Sequence, residues 1–369
     1  MNRKAMAVVI TAAMCAVAFS QTSDVKRKLL EKYPAADLNK DGVLSDEELQ
    51  ELKKTVRKSG GPAALDAGGI SSTARPAKEQ KEARRSAKMR VPPTFTDAAY
   101  GPYERNRLDF WKAASQGPAP VMVLIHGGGF SGGDKSFWYS HPLLSHCYEH
   151  GISVAAINYR LIKTDPYPAP MHDGARAVQF LRHNAGKWNL NPKLFGATGG
   201  SAGAAMSLWI GFHDDMAEPA GEDPVRREST RLAAMAVQGA QTTLDPREIR
   251  KLIGEAAARH AALEPFYGLA SEELQTERAF RLFRDASPVT HLAAGDPPVL
   301  LLYGEPDVPL PPDAKPGQGI HHPRFGLFLK ERMDQLGIEC ELRYPGDGRG
   351  ETAGPKLLAG FLIRHLTRN

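Results

Sequence analysis

The chain has 369 residues, 42% hydrophobic and 24% charged. Those globular proportions exclude a wholly disordered chain, a collagen-like fibre and a bundle of membrane spans. The net charge of +5 is local: residues 53–90 carry 11 Lys/Arg against 3 Asp/Glu, a net of +8 that leaves −3 elsewhere, which speaks for a solvated linker and against a nucleic-acid-binding face.

At the N-terminus, Arg3 and Lys4 precede an apolar run, residues 5–19, broken only by Thr11, and small residues follow at Ala16, Ala18 and Ser20. This is the three-part pattern of a secretion signal over residues 1–20, and its apolar run is shorter than the roughly 20 residues of a membrane span. The expectation is a secreted protein, periplasmic or extracellular, with no stable membrane span after cleavage. Only Cys147 and Cys340 then remain. Two thiols make no disulfide framework, and spacing leaves their pairing open.

Residues 37–48 read Asp-Leu-Asn-Lys-Asp-Gly-Val-Leu-Ser-Asp-Glu-Glu. Side-chain oxygens at Asp37, Asn39, Asp41, Ser45 and Glu48, with the Val43 carbonyl, stand at the ligand offsets of a twelve-residue EF-hand loop, and Gly42 stands at its sharp turn. Val25, Leu29 and Tyr33 lead in and Leu49, Leu52 and Val56 lead out at helical spacing. An EF-hand helix-loop-helix over residues 21–58 with bound Ca2+ is expected. Residues 59–90, punctuated by Gly60-Gly61-Pro62 and Gly68-Gly69, read as a basic flexible linker able to touch an anionic surface.

From residue 91 to 369, apolar runs at 121–125, 152–157, 194–197, 232–237, 298–303 and 339–344 alternate with amphipathic helical patterns. That rhythm predicts an α/β domain with a mostly parallel sheet covered by helices on both faces. Residues 245–287 are helical and charged and break the rhythm, as a small cap-like insertion over one end of the sheet would.

Two motifs sit at strand ends. Gly199-Gly200-Ser201-Ala202-Gly203 follows a short strand and opens an Ala-rich helix. A sharp strand-to-helix turn holds its serine exposed, and small neighbours let the backbone pass. His126-Gly127-Gly128-Gly129-Phe130 ends the first long strand. Its unshielded amides at Gly128 and Gly129, with that of Ala202, suit an oxyanion hole, while His126 reads as structural. The run lacks the Gly-Lys-Ser/Thr end of a phosphate-binding loop.

Together these motifs resemble the α/β-hydrolase family, in its HGGG-type branch of carboxylesterases and hormone-sensitive-lipase-like enzymes. Tyr100-Gly101-Pro102, Leu108-Asp109-Phe110-Trp111, Asn158-Tyr159-Arg160-Leu161 and Asp173 fit the same resemblance. It covers roughly residues 91–369 and implies an eight-stranded, mostly parallel sheet, a Ser/acid/His triad and ester hydrolysis with no cofactor for catalysis. Secreted esterases acting on polysaccharide acyl groups are similar, so a small-molecule or polysaccharide ester is the implied substrate.

The family's order of Ser, acid, His puts the acid at Asp307, with Glu305 as a substitute. Its histidine belongs in a turn after the last core strand, where this chain has Pro345-Gly346-Asp347-Gly348-Arg349-Gly350. A guanidinium is no base near neutral pH. Downstream of Asp307 stand only His321, His322 and His365, and the first two open the helix after the Asp307 loop. Two readings stand: a serine esterase whose base has moved to His321 or His322, or a catalytically impaired relative that binds carbohydrate or protein.

Overall fold

The computed structural model describes residues 30–31, 33–45, 47–49, 51–52, 91–349 and 354–367. The expected signal (1–20) and linker (59–90) lie outside them. The chain divides into two compact units, residues 1–76 and 77–369. In the first, the turn Pro34–Ala36 leads into the 37–48 loop, and residues 47–49 and 51–52 are helical.

The second unit is built on eight strands: β1 (Phe95–Ala99), β2 (Arg107–Trp111), β3 (Ala119–Ile125), β4 (Ser153–Ile157), β5 (Leu190–Gly200), β6 (Ala234–Gln238), β7 (Val299–Leu302) and β8 (Cys340–Arg343). They form one sheet in the order β1-β2-β4-β3-β5-β6-β7-β8. β2 runs antiparallel to β1 and to β4, and every other pairing is parallel. The helices are α1 (Pro142–Glu149), α2 (Ala169–His183), α3 (Ala185–Trp188), α4 (Ala202–Phe212), α5 (Pro246–Leu252), α6 (Glu255–Ala258), α7 (Leu263–Tyr267), α8 (Glu277–Ala286), α9 (Arg324–Gln335) and α10 (Pro355–Leu366). This is the α/β-hydrolase fold.

The continuous apolar runs have a physical reason. Successive strand residues point to opposite faces, and both faces are covered. Met122, Leu124, Val154, Ala156, Leu300 and Leu302 pack with α1 and α10 residues such as Leu143, Phe361 and Leu362. Val121, Val123, Ile125, Met235, Val237 and Leu301 join Val178, Leu208 and Phe325 of α2, α4 and α9 on the other side. Burying a side chain of this size stabilises by about 1.5–3 kcal/mol, so a polar residue anywhere in these strands costs more than one on a half-solvated sheet.

Cys147 and Cys340 are free and buried, and burial pushes both thiols up to about 12. No helix among the described residues is long and apolar enough to cross a membrane. Between β6 and β7, the stretch read as an insertion folds into α5 to α8, which are short and linked by turns.

Candidate active site

β5 ends in Gly199-Gly200, and α4 begins at Ala202. Between them Ser201 adopts φ 52°, ψ −120°, a backbone region costly for any residue with a side chain and persistent only where the surroundings hold it. The surroundings require glycine on both sides. A Cβ on Gly203 would come within 2.2 Å of the Ile125 carbonyl oxygen, and one on Gly199 within 2.4 Å of the Gly203 backbone. The Ser201 amide donates to the Gln238 carbonyl at 3.0 Å, which ties the bend to the end of β6.

The glycine loop after β3 packs directly on this bend. A Cβ on Gly127 would lie 2.7 Å from the Gly200 carbonyl oxygen. Gly128 and Gly129 have φ values of 115° and 57°. The Gly128 carbonyl accepts from Ser131 and Gly132 at 3.0 and 3.1 Å, so the loop is closed on itself. The Gly128 and Gly129 residues then line a cleft of about 490 Å³ together with Ser201. The Ala202 amide is at the start of α4, where helix N–H groups lack intrahelical acceptors and the dipole is positive.

His126 is buried under this loop, stacked on Tyr159 with ring centroids 4.3 Å apart. Its Nδ1 donates to the Gly127 carbonyl at 2.8 Å, and Arg105 approaches its Nε2 at 3.4 Å. Burial, first of all, pushes its pKa down to about 4. The ring is therefore neutral near pH 7 and braces the loop.

An imidazole does reach Ser201. His321 Nε2 lies 2.9 Å from Ser201 Oγ. The ring comes from the loop between β7 and α9 and rests on the end of β6, where Gly239 has φ 59° and a Cβ would lie 3.2 Å from His321 Cδ2. Gln241, buried, donates to the Ile320 carbonyl at 2.7 Å and to the Gly239 carbonyl at 3.0 Å. It fixes the backbone beside the ring, a positioning residue that the sequence reading missed. Burial lowers the His321 pKa below its ordinary 6.5, and the negative charge of Glu305 partly opposes that.

Two expected residues stand elsewhere. The His322 ring faces away from the cleft: its Nε2 donates to the Val308 carbonyl at 2.9 Å and its Nδ1 accepts from the Arg324 amide at 3.2 Å. It closes the β7–α9 loop and makes no bond to Ser201. Asp307 does not meet the imidazole either. Its Oδ1 accepts from Arg324 Nε at 3.0 Å, because the guanidinium at the first position of α9 outcompetes a neutral ring for an exposed carboxylate. Glu305, the substitute, is the acidic group whose charge is felt at His321. Arg349 lies in the exposed turn after β8, its amide bonded to Asp347 Oδ1 at 2.8 Å.

The insertion contributes to the cleft wall: His260, Ala261, Ala262 and Pro265 line it together with Ile162 and Lys163. The Tyr167 amide donates to the Phe266 carbonyl at 2.7 Å, and the Phe266 ring lies 4.8 Å from that of Phe130. His260 and Lys163 bring polar groups to the wall. Neither has a motif around it, and only the position of the insertion over the strand ends could have suggested His260.

In the first unit, the 37–48 side chains are satisfied by their own loop. Glu48 Oε1 accepts from the Leu38 amide at 2.8 Å and Oε2 from the Ser45 hydroxyl at 2.7 Å. Asp37 Oδ2 accepts from the Gly42 amide at 2.9 Å, and Asp41 Oδ1 from the Val43 amide at 2.8 Å. Asn39 Oδ1 accepts from the Asp41 amide at 3.0 Å. Gly42 has φ 80°. Ser45 and Glu48 form a reciprocal cap on the helix that follows: the Glu48 amide donates to Ser45 Oγ at 3.2 Å and the Ser45 amide to Glu48 Oε2 at 2.9 Å. The Ser45 bonds, above all, hold the Glu48 carboxyl down to about 2.

Comparison with known proteins adds a family. The profile of the family described as BD-FAE matches residues 108–315, more than half of the chain. Among curated relatives, the Mycobacterium tuberculosis protein named "Probable carboxylic ester hydrolase LipM" is 31% identical over 219 residues, covering 58% of this chain and 48% of its own. "Esterase LipQ" of the same organism is 29% identical over 258 residues, covering 65% of this chain and 58% of its own. The chain thus spans about half the length of these relatives. Among solved structures, an acetyl ester-xyloside bifunctional hydrolase from Caldicellulosiruptor lactoaceticus superposes with TM-score 0.55 at 19% identity, over 75% of this chain and 94% of that one. A Thermogutta terrifontis esterase gives 0.54 at 20% identity, over 75% and 97%.

Proposed function

The chain belongs to the BD-FAE family, and on that premise we propose that it is a serine hydrolase of carboxylic esters. The observation that carries this is the 2.9 Å approach of His321 Nε2 to Ser201 Oγ, at hydrogen-bond reach for a nucleophile and its base. Ser201 attacks the acyl carbon while His321 takes its proton. The amides of Gly128, Gly129 and Ala202 hold the oxyanion, and each such donor is worth about 3 kcal/mol in the transition state. His321 returns the proton to the leaving alcohol, and water then releases the acid by the same steps. Glu305 favours the imidazolium formed on the way.

The substrate in this reading carries a small acyl group, in line with a cleft of about 490 Å³ whose lining includes Ala261, Ala262 and Pro265. The alcohol side is a carbohydrate or a small ester. Export by the signal at 1–20 is part of the same proposal, since polysaccharide esters lie outside the cell. So is Ca2+ at residues 37–48. The fit is chemical: the side chains of Asp37, Asn39, Asp41, Ser45 and Glu48 offer hard oxygens that already gather on one loop's amides, and a calcium ion takes six to eight such atoms.

A binding-only reading draws on one observation, the capture of Asp307 by Arg324, which takes away the expected orienting acid. A fluorophosphonate probe separates the two. Covalent labelling at Ser201, located by peptide mass, is expected; folded protein that resists the probe supports binding without turnover.

A further inference from the structure

A second cluster of chemistry-bearing side chains lies where the helix that starts at Ser201 ends. His213 is the C-cap of α4, Asp285 stands in the last turn of α8, and His291 follows the turn Pro288–Thr290. One ligand-capable atom of each lies within 4.8 Å of those of the other two. Each histidine has one ring nitrogen engaged by backbone: His213 Nδ1 donates to the Asp214 carbonyl at 3.0 Å, and His291 Nε2 to the Asp285 carbonyl at 2.6 Å. A neutral imidazole that donates at one nitrogen keeps its lone pair on the other. Nε2 of His213 and Nδ1 of His291 are thus set as acceptors, in the arrangement that holds metal-ligating imidazoles. The carboxylate is fixed in the same manner, since Tyr167 OH donates to Asp285 Oδ2 at 2.6 Å. Trp209 braces the group, its Nε1 bonded to the Asp285 carbonyl at 2.9 Å and its ring 4.4 Å from that of His213.

We propose that His213, Asp285 and His291 bind a divalent transition-metal ion of the zinc class, with water in the remaining position. Two imidazoles, one carboxylate and an open site are a common zinc donor set. The two helix C-termini that meet here favour a cation by their dipoles. Arg281 and Arg284 line the same cavity of about 490 Å³ beside Asp285 and His291. With a single carboxylate among the three ligands, a hard ion such as Ca2+, which takes six to eight oxygens, is poorly served, whereas imidazole nitrogen suits zinc. Bonds of about 2.0–2.1 Å put tetrahedral ligand atoms roughly 3.3 Å apart, against up to 4.8 Å here, so the side chains, Asp285 exposed and the histidines half-buried, close by up to about 1.5 Å on binding. The site lies about 18 Å along α4 from Ser201 at 1.5 Å per residue. It is therefore a clamp between the end of α8 and the serine helix, and takes no part in the chemistry.

The test is zinc binding by the full chain in excess calcium, which competes with zinc for the oxygens of the 37–48 loop. Equilibrium dialysis should give one Zn2+ per chain, and His213→Gln and His291→Gln should each weaken binding at least about tenfold. Zinc should also raise the melting temperature of the wild type and not of these variants, while metal-free melting at the wild-type temperature verifies that they fold. Binding by both folded variants as tight as wild type, or no stoichiometric zinc on the wild type, overturns the proposal. If a variant fails to fold, Asp285→Asn and the visible bands of Co2+ bound to the wild type decide instead. Retained affinity in that variant, or Co2+ bands typical of a fully hydrated ion, contradict the site.

Discussion

At the scale of single residues, the chemistry turns on a ring whose proton affinity is set by two opposed influences. Burial disfavours the His321 imidazolium, and Glu305 partly restores it. The base works when neutral. Its pKa lies below the ordinary 6.5, so kcat/KM should rise with pH through a midpoint below that value and be level by neutrality. Glu305→Gln removes a negative charge that raises the pKa. The acid limb should therefore move to still lower pH, and the plateau should fall because the imidazolium in the transition state loses its counter-charge. A midpoint that stays put or moves up would assign the orienting role elsewhere. Asp307→Asn removes only an exposed ion pair with Arg324, worth about 0–1 kcal/mol, and should lower kcat/KM by less than about tenfold. A drop like that of losing a triad member would mean that Asp307 leaves Arg324 for the ring during turnover.

At the scale of elements, the strand-to-helix bend and the 37–48 loop are each over-determined by their own sequence. Gly203→Ala would drive a methyl to 2.2 Å from a β3 carbonyl, against backbone that cannot rotate away. Denaturant unfolding should show a loss of at least about 3 kcal/mol, and a near-neutral result would mean that the bend is looser than its packing implies. In the 37–48 loop, Glu48 has a folded pKa of about 2 against an ordinary 4.5. A depressed carboxylate pKa stabilises above the ordinary value and is lost as pH falls through the folded one. Without calcium, amide-exchange protection at Leu38 and Ser45 should therefore fade between about pH 4.5 and 2. Calcium at neutral pH should raise that protection, and Glu48→Gln should remove the gain. Unchanged exchange with and without calcium would contradict a bound ion.

Over the whole molecule, what was legible in the sequence followed from local rules. The central strands β3, β4, β6 and β7 and the second half of β5 were readable because burial on both faces favours unbroken apolar runs, and the serine bend because only glycine fits beside it. The edge strand β1 and its neighbour β2 were not assigned as strands: β1 reads Phe-Thr-Asp-Ala-Ala and is mostly solvated, so its composition carries little signal, and β2 is buried but only five residues long. The acid is less legible. Asp307 and Glu305 are two residues apart in one loop, and Asp307 is held by Arg324, a partner seventeen positions on that belongs to another element. Gln241 was invisible in the same way, because its partner Ile320 is 79 residues distant. Motifs record contacts within a turn or two of chain; a base supplied by the β7–α9 loop depends on which strands are neighbours. Since β6 lies between β5 and β7, that loop can lean across a small residue, Gly239, to the serine.

The most direct measurement is therefore a comparison of kcat/KM for a small acyl ester between the wild type, His321→Ala and His322→Ala, each verified as folded by its melting transition. The account predicts that His321→Ala loses at least about 10³-fold, as expected for removing a triad base, while His322→Ala stays within about tenfold of the wild type. Equal activity in wild type and His321→Ala would contradict it.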